Sequence, residues 1–329
     1  MDIQAKLLKL GLSKTVYSLL YPEAKKVLDN LWNEKPHSMY ERPYLDKQDG
    51  SHLDFFNTWL NWTSSVLKID KGLIKYFYPT AGSSEAIRDS IAVLASKFLT
   101  HAHQPSIHVF DGEYEGYASY ARAFGLRVVK HNRSEYEKSL EKTRPVSGDL
   151  FYLSQPSSID GNVWTGYDDF MIFLSAKYPD FKVMLDICYV GTVAKSYQIN
   201  LTFSNIESVF FSLSKVFGVY YHRIGGVFSR NEISSLHGNR YFKNLFSLRL
   251  GTELMTRYGV QELPNKYYNA QFNIIKQLNK KFPDILPSDV VILAHGPKKK
   301  GMYGQLTRGD SVRVCITPSM DKELNYARD

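Results

Sequence analysis

Lys215 and Arg223 are the side chains whose types and spacing most directly suggest chemistry. They lie in the stretch Ser212-Leu-Ser-Lys-Val-Phe-Gly-Val-Tyr-Tyr-His-Arg-Ile-Gly-Gly226. A lysine that is shielded from water and lies near another cation loses its proton readily and can form a Schiff base with a carbonyl. Arg223 could supply that cation, and its planar guanidinium could also bind a phosphate. Taken alone, the pair fits an ordinary surface loop better, because short motifs are weak signals.

The residues before Lys215 predict its place in the fold. Ser208-Val-Phe-Phe211 is a short apolar run that is typical of a buried strand. Lys215 is therefore expected just beyond the carboxyl end of a strand, which is the edge at which open α/β sheets bind their ligands.

Gly82-Ser-Ser84 is a candidate anion site. It lies between an aromatic, strand-like segment at 76–78 and a helical apolar pattern at 87–94. The free backbone N–H groups and hydroxyls at a helix N-terminus bind anions. A plain serine N-cap followed by Glu85 is the alternative that this short motif leaves open.

Asp186 is a second residue that needs an explanation. The segment Val183-Met-Leu-Asp-Ile-Cys-Tyr189 places this carboxylate at the end of an apolar strand. Such a group is costly to bury unless a cation accompanies it. A helix cap or a buried ion pair with an arginine would explain the residue without a ligand.

The spacing Ser-x-Ser-Lys-x-Phe-Gly followed by Arg-x-Gly resembles the cofactor-lysine segment of fold-type I pyridoxal-phosphate enzymes, in particular the class I/II aminotransferases. The resemblance extends over roughly residues 75–230 and more faintly to Arg313. It implies that Lys215 holds pyridoxal 5'-phosphate as a Schiff base. It also implies a homodimer, because the family forms its active site at a subunit interface.

The same resemblance implies a set of residues around the cofactor phosphate. The glycine and serines of the turn at 82–84 would bind the phosphate opposite Arg223, and the two serines before Lys215 belong to the same cofactor-binding segment. These residues are Gly82, Ser83, Ser84, Ser212, Ser214 and Arg223.

Four further roles are implied by the resemblance. Tyr114 would stack on the pyridine ring, Asp186 would pair with the ring nitrogen, and Tyr189 would donate to the phenolic oxygen. Arg313, in the alternating segment 311–317, would bind the substrate α-carboxylate. The simpler alternatives are a structural tyrosine at Tyr114 and an outward-facing edge-strand arginine at Arg313.

Residues 154–161 depart from the family pattern. Aminotransferases usually carry an Asn-Pro-x-Gly segment whose asparagine hydrogen-bonds the phenolic oxygen, and Ser158 occupies the matching position here. A serine hydroxyl can donate the same bond over a shorter reach, and Gln155 is the alternative donor. The reaction specificity therefore stays open.

The alternation of strand, turn and helix between about 73 and 230 predicts an α/β fold with a largely parallel sheet. With the resemblance, this becomes a three-layer α/β/α large domain of the aspartate-aminotransferase type and a smaller α+β domain. The expected segments are 1–70 for the small domain and dimer contact, 71–230 for cofactor binding, and 231–329 for a linking helix and an abbreviated C-terminal domain. The small domain is expected to be abbreviated because the chain stops after Asp329, whereas family members usually continue into one further helix.

The composition excludes several classes of protein. The 329 residues are 43% hydrophobic and 22% charged, as in an ordinary globular protein. No apolar stretch is long enough for a membrane span and no signal peptide is present, so a cytoplasmic protein without a membrane partner is expected. Cys188 and Cys315 form neither a disulfide framework nor a metal motif. The net charge of +8 is spread along the chain, which argues against nucleic-acid binding.

The predicted function is that of an aminotransferase that converts a free amino acid to a 2-keto acid, with Lys215 as the general base. The alternative within the same cofactor class is a lyase, cyclase, decarboxylase or racemase of amino-acid or specialised metabolite biosynthesis. A non-catalytic α/β protein that holds a nucleotide phosphate at 82–84 is the alternative from another class. No Gly-x-Gly-x-x-Gly or Gly-x-x-x-x-Gly-Lys-Ser/Thr motif supports it.

Overall fold

The computed structural model describes residues 3–34, 49–97, 104–241, 243–280, 282–298 and 301–326, so 35–48 of the predicted N-terminal segment lie outside it. None of the helices in these ranges is both long and apolar enough to cross a bilayer. The α-helices are α1 (Ile3–Lys9), α2 (Pro22–Asn33), α3 (Asp49–Thr63), α4 (Ser83–Lys97), α5 (Glu115–Ala123), α6 (Tyr136–Thr143), α7 (Tyr167–Lys177), α8 (Ser234–Gly238), α9 (Leu245–Arg257), α10 (Glu262–Leu278) and α11 (Thr317–Tyr326). Short 3-10 turns span Lys71–Ile74, Arg133–Glu135, Tyr220–His222 and Gly301–Leu306.

Seven strands form one central sheet. The strands of the chain are β1 (Leu67–Ile69), β2 (Tyr76–Thr80), β3 (Ser106–Phe110), β4 (Arg127–His131), β5 (Leu150–Ser154), β6 (Lys182–Asp186), β7 (Ile199–Leu201), β8 (Ile206–Ser212), β9 (Gly225–Ser229), β10 (Leu286–Pro287), β11 (Leu293–Pro297), β12 (Thr307–Arg308) and β13 (Ser311–Cys315). The central sheet has the order β2-β9-β8-β6-β5-β3-β4. Its neighbours pair in parallel from β8 to β4, and β9 runs antiparallel to β2 and β8. The sheet is mixed and mainly parallel, as the sequence predicted.

Side chains of the central strands alternate between two hydrophobic layers, because successive residues of a strand point to opposite faces. In β8, Val209 and Phe211 belong to one buried cluster and Phe210 to the other. In β5, Phe151 and Tyr152 divide in the same way. Helices α4, α5 and α8 contribute to the cluster of Phe210, whereas α3 and α7 contribute to the opposite cluster. The result is a layer of helices on each face of the sheet.

A second sheet joins the two ends of the chain. It is antiparallel, with the order β10-β11-β13-β12. Ser13 and Cys315 exchange both backbone hydrogen bonds, each 2.9 Å long, so the N-terminal segment pairs beside β13. Helix α10 contacts β10 and α11.

A helix follows the last strand of the chain. Strand β13 ends at Cys315 instead of Thr317, and α11 begins directly after it. Pro318 lies in the first turn of α11, where its missing N–H costs no hydrogen bond. Met320 is fully buried, so packing stabilises a helix that the alternating pattern before it did not reveal. The three-segment division of the chain stays a prediction.

One edge of the central sheet collects the ends of its parallel strands. Strands β2, β3, β5, β6 and β8 all have their carboxyl ends there, because each runs opposite to β9 or in parallel with β8. The loops that leave this edge start after Thr80, Phe110, Ser154, Asp186 and Ser212. Strand β9 is antiparallel and starts at the same edge. Arg223, two residues before β9, therefore also lies at this edge.

Gly218 allows the N-terminal segment to pack against the loop that carries Lys215. Its φ of +73° is a left-handed value, and a Cβ on this residue would lie 1.5 Å from the carbonyl oxygen of Leu19. No L side chain fits such a contact without moving the backbone. The contact therefore holds the residues between Ser13 and α2 over the edge of the sheet.

We expect Gly218→Ala to lower the free energy of unfolding by about 2 kcal/mol more than Gly125→Ala does. Gly125 is the matched control, because its φ of +76° is similar and nothing lies within 4 Å of a Cβ placed there. Both variants carry the cost of roughly 1 kcal/mol for a left-handed alanine, and only Gly218→Ala adds a collision with backbone. Chemical denaturation measures both, and equal losses would show that the Leu19 contact contributes nothing.

Candidate active site

A cleft of ≈ 450 Å³ lies at the edge of the sheet where the parallel strands end. It receives residues from the loops after β2, β3, β5, β6 and β8, from β12 and β13, and from the N-terminal segment. The predicted site residues that line it are Ser83, Ser84, Tyr114, Ser158, Asp186, Tyr189, Ser212, Ser214, Lys215, Arg223 and Arg313. Residues far apart in the sequence are therefore brought to one place.

Lys215 follows β8 by three residues and points its amine into the cleft. The Nζ group donates a hydrogen bond to the backbone carbonyl of Val16. Lys215 forms no ion pair in the part of the chain that the structure describes. Burial lowers the pKa of the Lys215 ammonium below its ordinary value, and the positive charges of Arg313 and Arg223 act in the same direction. A larger share of this amine is thus neutral and nucleophilic than on a surface lysine.

One end of the cleft is built to hold an anion. Ser83 and Ser84 open α4 and line the cleft, so two hydroxyls and the free backbone N–H groups of a helix N-terminus lie there. The Arg223 guanidinium donates from Nη2 to the carbonyl of Ala81 and to the Ser84 hydroxyl, both at 2.9 Å. Gly82 lies beside the cleft with a φ of +83°, and a Cβ on it would come within 3.0 Å of Arg223 Nη2. The absence of that side chain leaves room for the arginine at the start of α4.

Asp186 is the buried carboxyl of the cleft. It accepts hydrogen bonds from the Tyr117 hydroxyl at 3.2 Å and from the Cys188 backbone N–H at 3.0 Å. Within the described ranges it forms no ion pair. Burial raises the pKa of Asp186 to about 7, because a carboxylate without a cation is poorly solvated there. No described residue therefore supplies the positive charge that would stabilise the ionised form of Asp186.

Tyr114 and Tyr189 also line the cleft. Tyr114 precedes α5, is 37% exposed, and packs its ring against the edge of Tyr117 with centroids 5.4 Å apart. Tyr189 is buried, and burial raises the pKa of its phenol. Tyr189 therefore carries its proton at neutral pH and can donate a hydrogen bond into the cleft.

The structure separates the two candidate donors at 154–161. The side-chain amide of Gln155 donates to the carbonyl of Trp164 and accepts from the Trp164 backbone N–H, both at 3.1 Å. Gln155 does not line the cleft. Ser158 does line it, but its hydroxyl donates to Glu113 Oε2 at 2.6 Å. Of the two, only Ser158 is in position to meet a ligand.

Arg313 is a buried guanidinium without a carboxylate partner among the described residues. Its Nη1 group donates to the backbone carbonyl of Ser158, and its Nε is buried without a hydrogen-bond partner. Burial lowers the pKa of Arg313 from its ordinary value. An unpaired buried cation is costly, so this position favours an anion in the cleft.

The sequence analysis missed several residues of the site. Glu113 lies three residues beyond the end of β3, whereas Asp186 is the last residue of β6, so a search for carboxylates just beyond an apolar strand could have found Glu113. Arg308 lines the cleft and pairs with Glu115, but no local pattern marks it. Residues 14–17 also line the cleft, and the first 70 residues carry no motif that would have indicated this.

No protein-family model and no curated protein sequence matches this chain significantly. Solved structures do match. A probable N-succinyldiaminopimelate aminotransferase from Thermus thermophilus has a TM-score of 0.69 at 17% identity, covering 99% of this chain and 96% of that chain. A PLP-bound C-S lyase from Staphylococcus hominis has a TM-score of 0.68 at 13% identity, covering 98% and 91%. An L-threonine-O-3-phosphate decarboxylase from Porphyromonas gingivalis has a TM-score of 0.65 at 14% identity, covering 96% and 100%.

The likeness to these structures covers nearly the whole chain, and at such low identity it shows the fold. The chain has the fold of the class I/II aminotransferases and related fold-type I enzymes. The fold class predicted from the sequence, with its mainly parallel sheet between helix layers, is thereby confirmed.

We expect Asp186→Asn to stabilise the ligand-free protein at neutral pH. Between pH 3.8 and about 7 the unfolded chain ionises this carboxyl and the folded chain does not. Stability is therefore lost as the pH rises through that window, by up to about 4 kcal/mol, and asparagine removes the loss. Thermal unfolding at several pH values measures the difference, which should shrink toward pH 4.

Asp149→Asn is the matched control. Asp149 is also buried, but its hydrogen bonds to His108 and to two backbone N–H groups lower its pKa despite the burial. This variant should destabilise the protein at neutral pH. A loss of stability in Asp186→Asn of the same size would contradict the account of an unpaired carboxyl.

Proposed function

We propose that this protein is a pyridoxal-phosphate-dependent enzyme that acts on a free amino acid, and that its reaction is transamination to a 2-keto acid. One observation carries the proposal: a single cleft contains an anion-binding turn, a lysine of lowered pKa and a buried carboxyl that lacks a cation among the described residues. Pyridoxal phosphate has a phosphate, an aldehyde and a basic ring nitrogen, one for each of these groups. The PLP-bound C-S lyase of the same fold supports the assignment.

The phosphate would bind at the start of α4. Ser83 and Ser84 offer hydroxyls and backbone N–H groups, and Arg223 adds a positive charge whose guanidinium already contacts Ser84. Ser212 and Ser214, whose hydroxyls lie 3.1 Å apart, border the same end of the cleft.

The ring would lie between Tyr114 and the carboxyl of Asp186. A protonated ring nitrogen would give Asp186 the cation that it lacks, so the carboxyl would ionise and its pKa would fall. Tyr189 would donate its phenolic proton to the ring oxygen, since it is neutral at physiological pH. Tyr114 is exposed enough to stack its face on a ring in the cleft.

When bound, pyridoxal phosphate supplies an aldehyde that condenses with amines and a ring that takes up the electron pair released at Cα. Lys215 would hold the cofactor through Nζ until the substrate amine displaces it. The freed Nζ would then remove the proton from Cα and return it to the carbon that had been the aldehyde. The lowered pKa of Lys215 favours this role, because the base must be neutral when it takes the proton.

Arg313 would bind the α-carboxylate of the substrate. Its unpaired Nε and buried charge favour a bidentate pair with a carboxylate. This pairing would orient the amino acid with its amine toward Lys215.

A reaction other than transamination is the second candidate. Two proteins of the same fold are named a C-S lyase and an L-threonine-O-3-phosphate decarboxylase. Ser158, at the position where aminotransferases usually carry asparagine, also favours a specialised reaction. A homodimer and a cytoplasmic location are further proposals that come from the sequence analysis.

We expect the purified protein to gain a visible absorption band when pyridoxal phosphate is added, and Lys215→Ala to lack it, because the band requires a covalent bond to Nζ. Lys182→Ala is the control, since its amine donates to the carbonyl of Pro179 at the surface and does not line the cleft. Adding a panel of amino acids should then convert the band to that of pyridoxamine phosphate and release a 2-keto acid in equal amount.

The outcomes of this experiment separate the candidates. A band that forms but yields an amine, a thiol or an unsaturated product instead of a keto acid would favour the decarboxylase or lyase alternative. A protein that forms no band, or in which Lys215→Ala forms the same band as the control, would contradict the proposed function.

A further inference from the structure

Glu113 is a fully enclosed carboxyl directly behind the cleft. It is 6% exposed and lies in the loop between β3 and α5. Its Oε2 accepts hydrogen bonds from the hydroxyls of Ser154 and Ser158, both at 2.6 Å, and from the Tyr114 backbone N–H at 3.4 Å, and its Oε1 accepts from the Ser154 backbone N–H at 3.2 Å. The Ser154 hydroxyl also accepts from the Ser158 backbone N–H at 2.7 Å. The two serines and the glutamate thus form one connected network that ends at the cleft.

The number of protons in this network decides what Ser158 can offer a ligand. A serine hydroxyl has one proton. If Glu113 is ionised, the protons of both hydroxyls point at Oε2, and Ser158 presents only lone pairs to the cleft. If Glu113 is protonated, its acid proton can point at the Ser158 oxygen, and the Ser158 proton is free to turn outward. One proton on Glu113 therefore converts Ser158 from an acceptor into a donor.

The surroundings of Glu113 favour the protonated form. The nearby cation Arg133 is occupied by Asp160 at 2.6 Å and by Ser157 at 3.0 Å. Glu113 itself forms no ion pair with any described residue, and burial raises its pKa. Arg308 and Arg313 donate to the backbone carbonyls of Glu113 and Ser158 instead of to the carboxyl.

The other titratable groups that face Glu113 are Asp186, Cys188 and Tyr117. None of them supplies a positive charge. When a protonated ring nitrogen pairs with Asp186, the two charges offset each other, so the pair leaves no positive charge over to stabilise an ionised Glu113. The holoenzyme would therefore keep its proton on Glu113.

We propose that Glu113 is a positioning residue that stays protonated and turns the Ser158 hydroxyl into the cleft, where it donates to the ring oxygen of the cofactor. The inference rests on the proposed function. It explains how a serine can replace the usual asparagine as a hydrogen-bond donor. The protonated Glu113 donates to the Ser158 oxygen, so the single proton of Ser158 does not have to point at a carboxylate.

The test compares Glu113→Gln, Glu113→Ala and Ser158→Ala in the cofactor-loaded protein. Glutamine mimics the protonated acid, because its amide N–H₂ can donate to both serines while its oxygen still accepts from the Ser154 N–H. A donor at the ring oxygen stabilises its negative charge and so lowers the pH at which the visible band titrates. We expect Ser158→Ala and Glu113→Ala to raise the midpoint by about one unit and Glu113→Gln to leave it unchanged. In the Ser158→Ala background, Glu113→Ala should add nothing.

A merely structural role for Glu113 gives different results. In that case Glu113→Ala would lower stability without moving the midpoint, or Glu113→Gln would move it as far as alanine does, and either result overturns the proposal. If the Lys215-dependent band forms but no Glu113 variant shifts its pH midpoint, this inference alone is refuted. A protein without the band refutes the proposed function instead.

A second measurement needs no cofactor and no alanine variant. The infrared difference spectrum between wild type and Glu113→Gln at pH 7 should contain the carbonyl stretch of a protonated carboxylic acid. A carboxylate stretch in its place would overturn the proposal.

Discussion

The cost of burying a charge without a counter-charge governs this cleft. Asp186, Lys215 and Arg313 are each withdrawn from water, and none forms an ion pair with a described residue. The effective penalty for such a group is several kcal/mol, and it appears as shifted pKa values: burial raises the pKa of the Asp186 carboxyl and lowers the pKa of the Lys215 amine. A ligand that brings a cation to Asp186 and an anion to Arg313 removes the penalty. The ligand-free protein thus carries a cost that binding relieves.

The central sheet makes this arrangement possible because the loops that carry the site residues all leave the same edge of it. Trp59 of α3 stacks on Phe211 of β8 with ring centroids 4.3 Å apart, one residue before the strand ends and the loop to Lys215 begins. On the other side, the pairing of Ser13 with Cys315 carries the N-terminal segment to the cleft, where the Val16 carbonyl accepts from Lys215. The lysine is therefore held both by its own strand and by a segment far from it in the sequence.

The strands and the helix start that sequence patterns predicted are features that neighbouring residues determine. The apolar run before Lys215 is a strand, the Gly-Ser-Ser turn opens a helix, and Asp186 ends a buried strand, each as expected. The residues that escaped prediction depend on contacts between distant segments. Glu113 lies in a loop, and its place in the site depends on hydrogen bonds from Ser154 and Ser158, which come from another strand and its loop. The role of residues 14–17 depends on a bridge between the two ends of the chain, and no periodicity encodes that.

The central claim is that one lysine, Lys215, binds the cofactor covalently. The most direct measurement is borohydride reduction of the protein loaded with pyridoxal phosphate, followed by proteolysis and mass spectrometry of the peptides. The account predicts a single pyridoxyl group, on the peptide that contains Lys215, at one per chain. A label distributed over surface lysines, or confined to a different lysine, would contradict it.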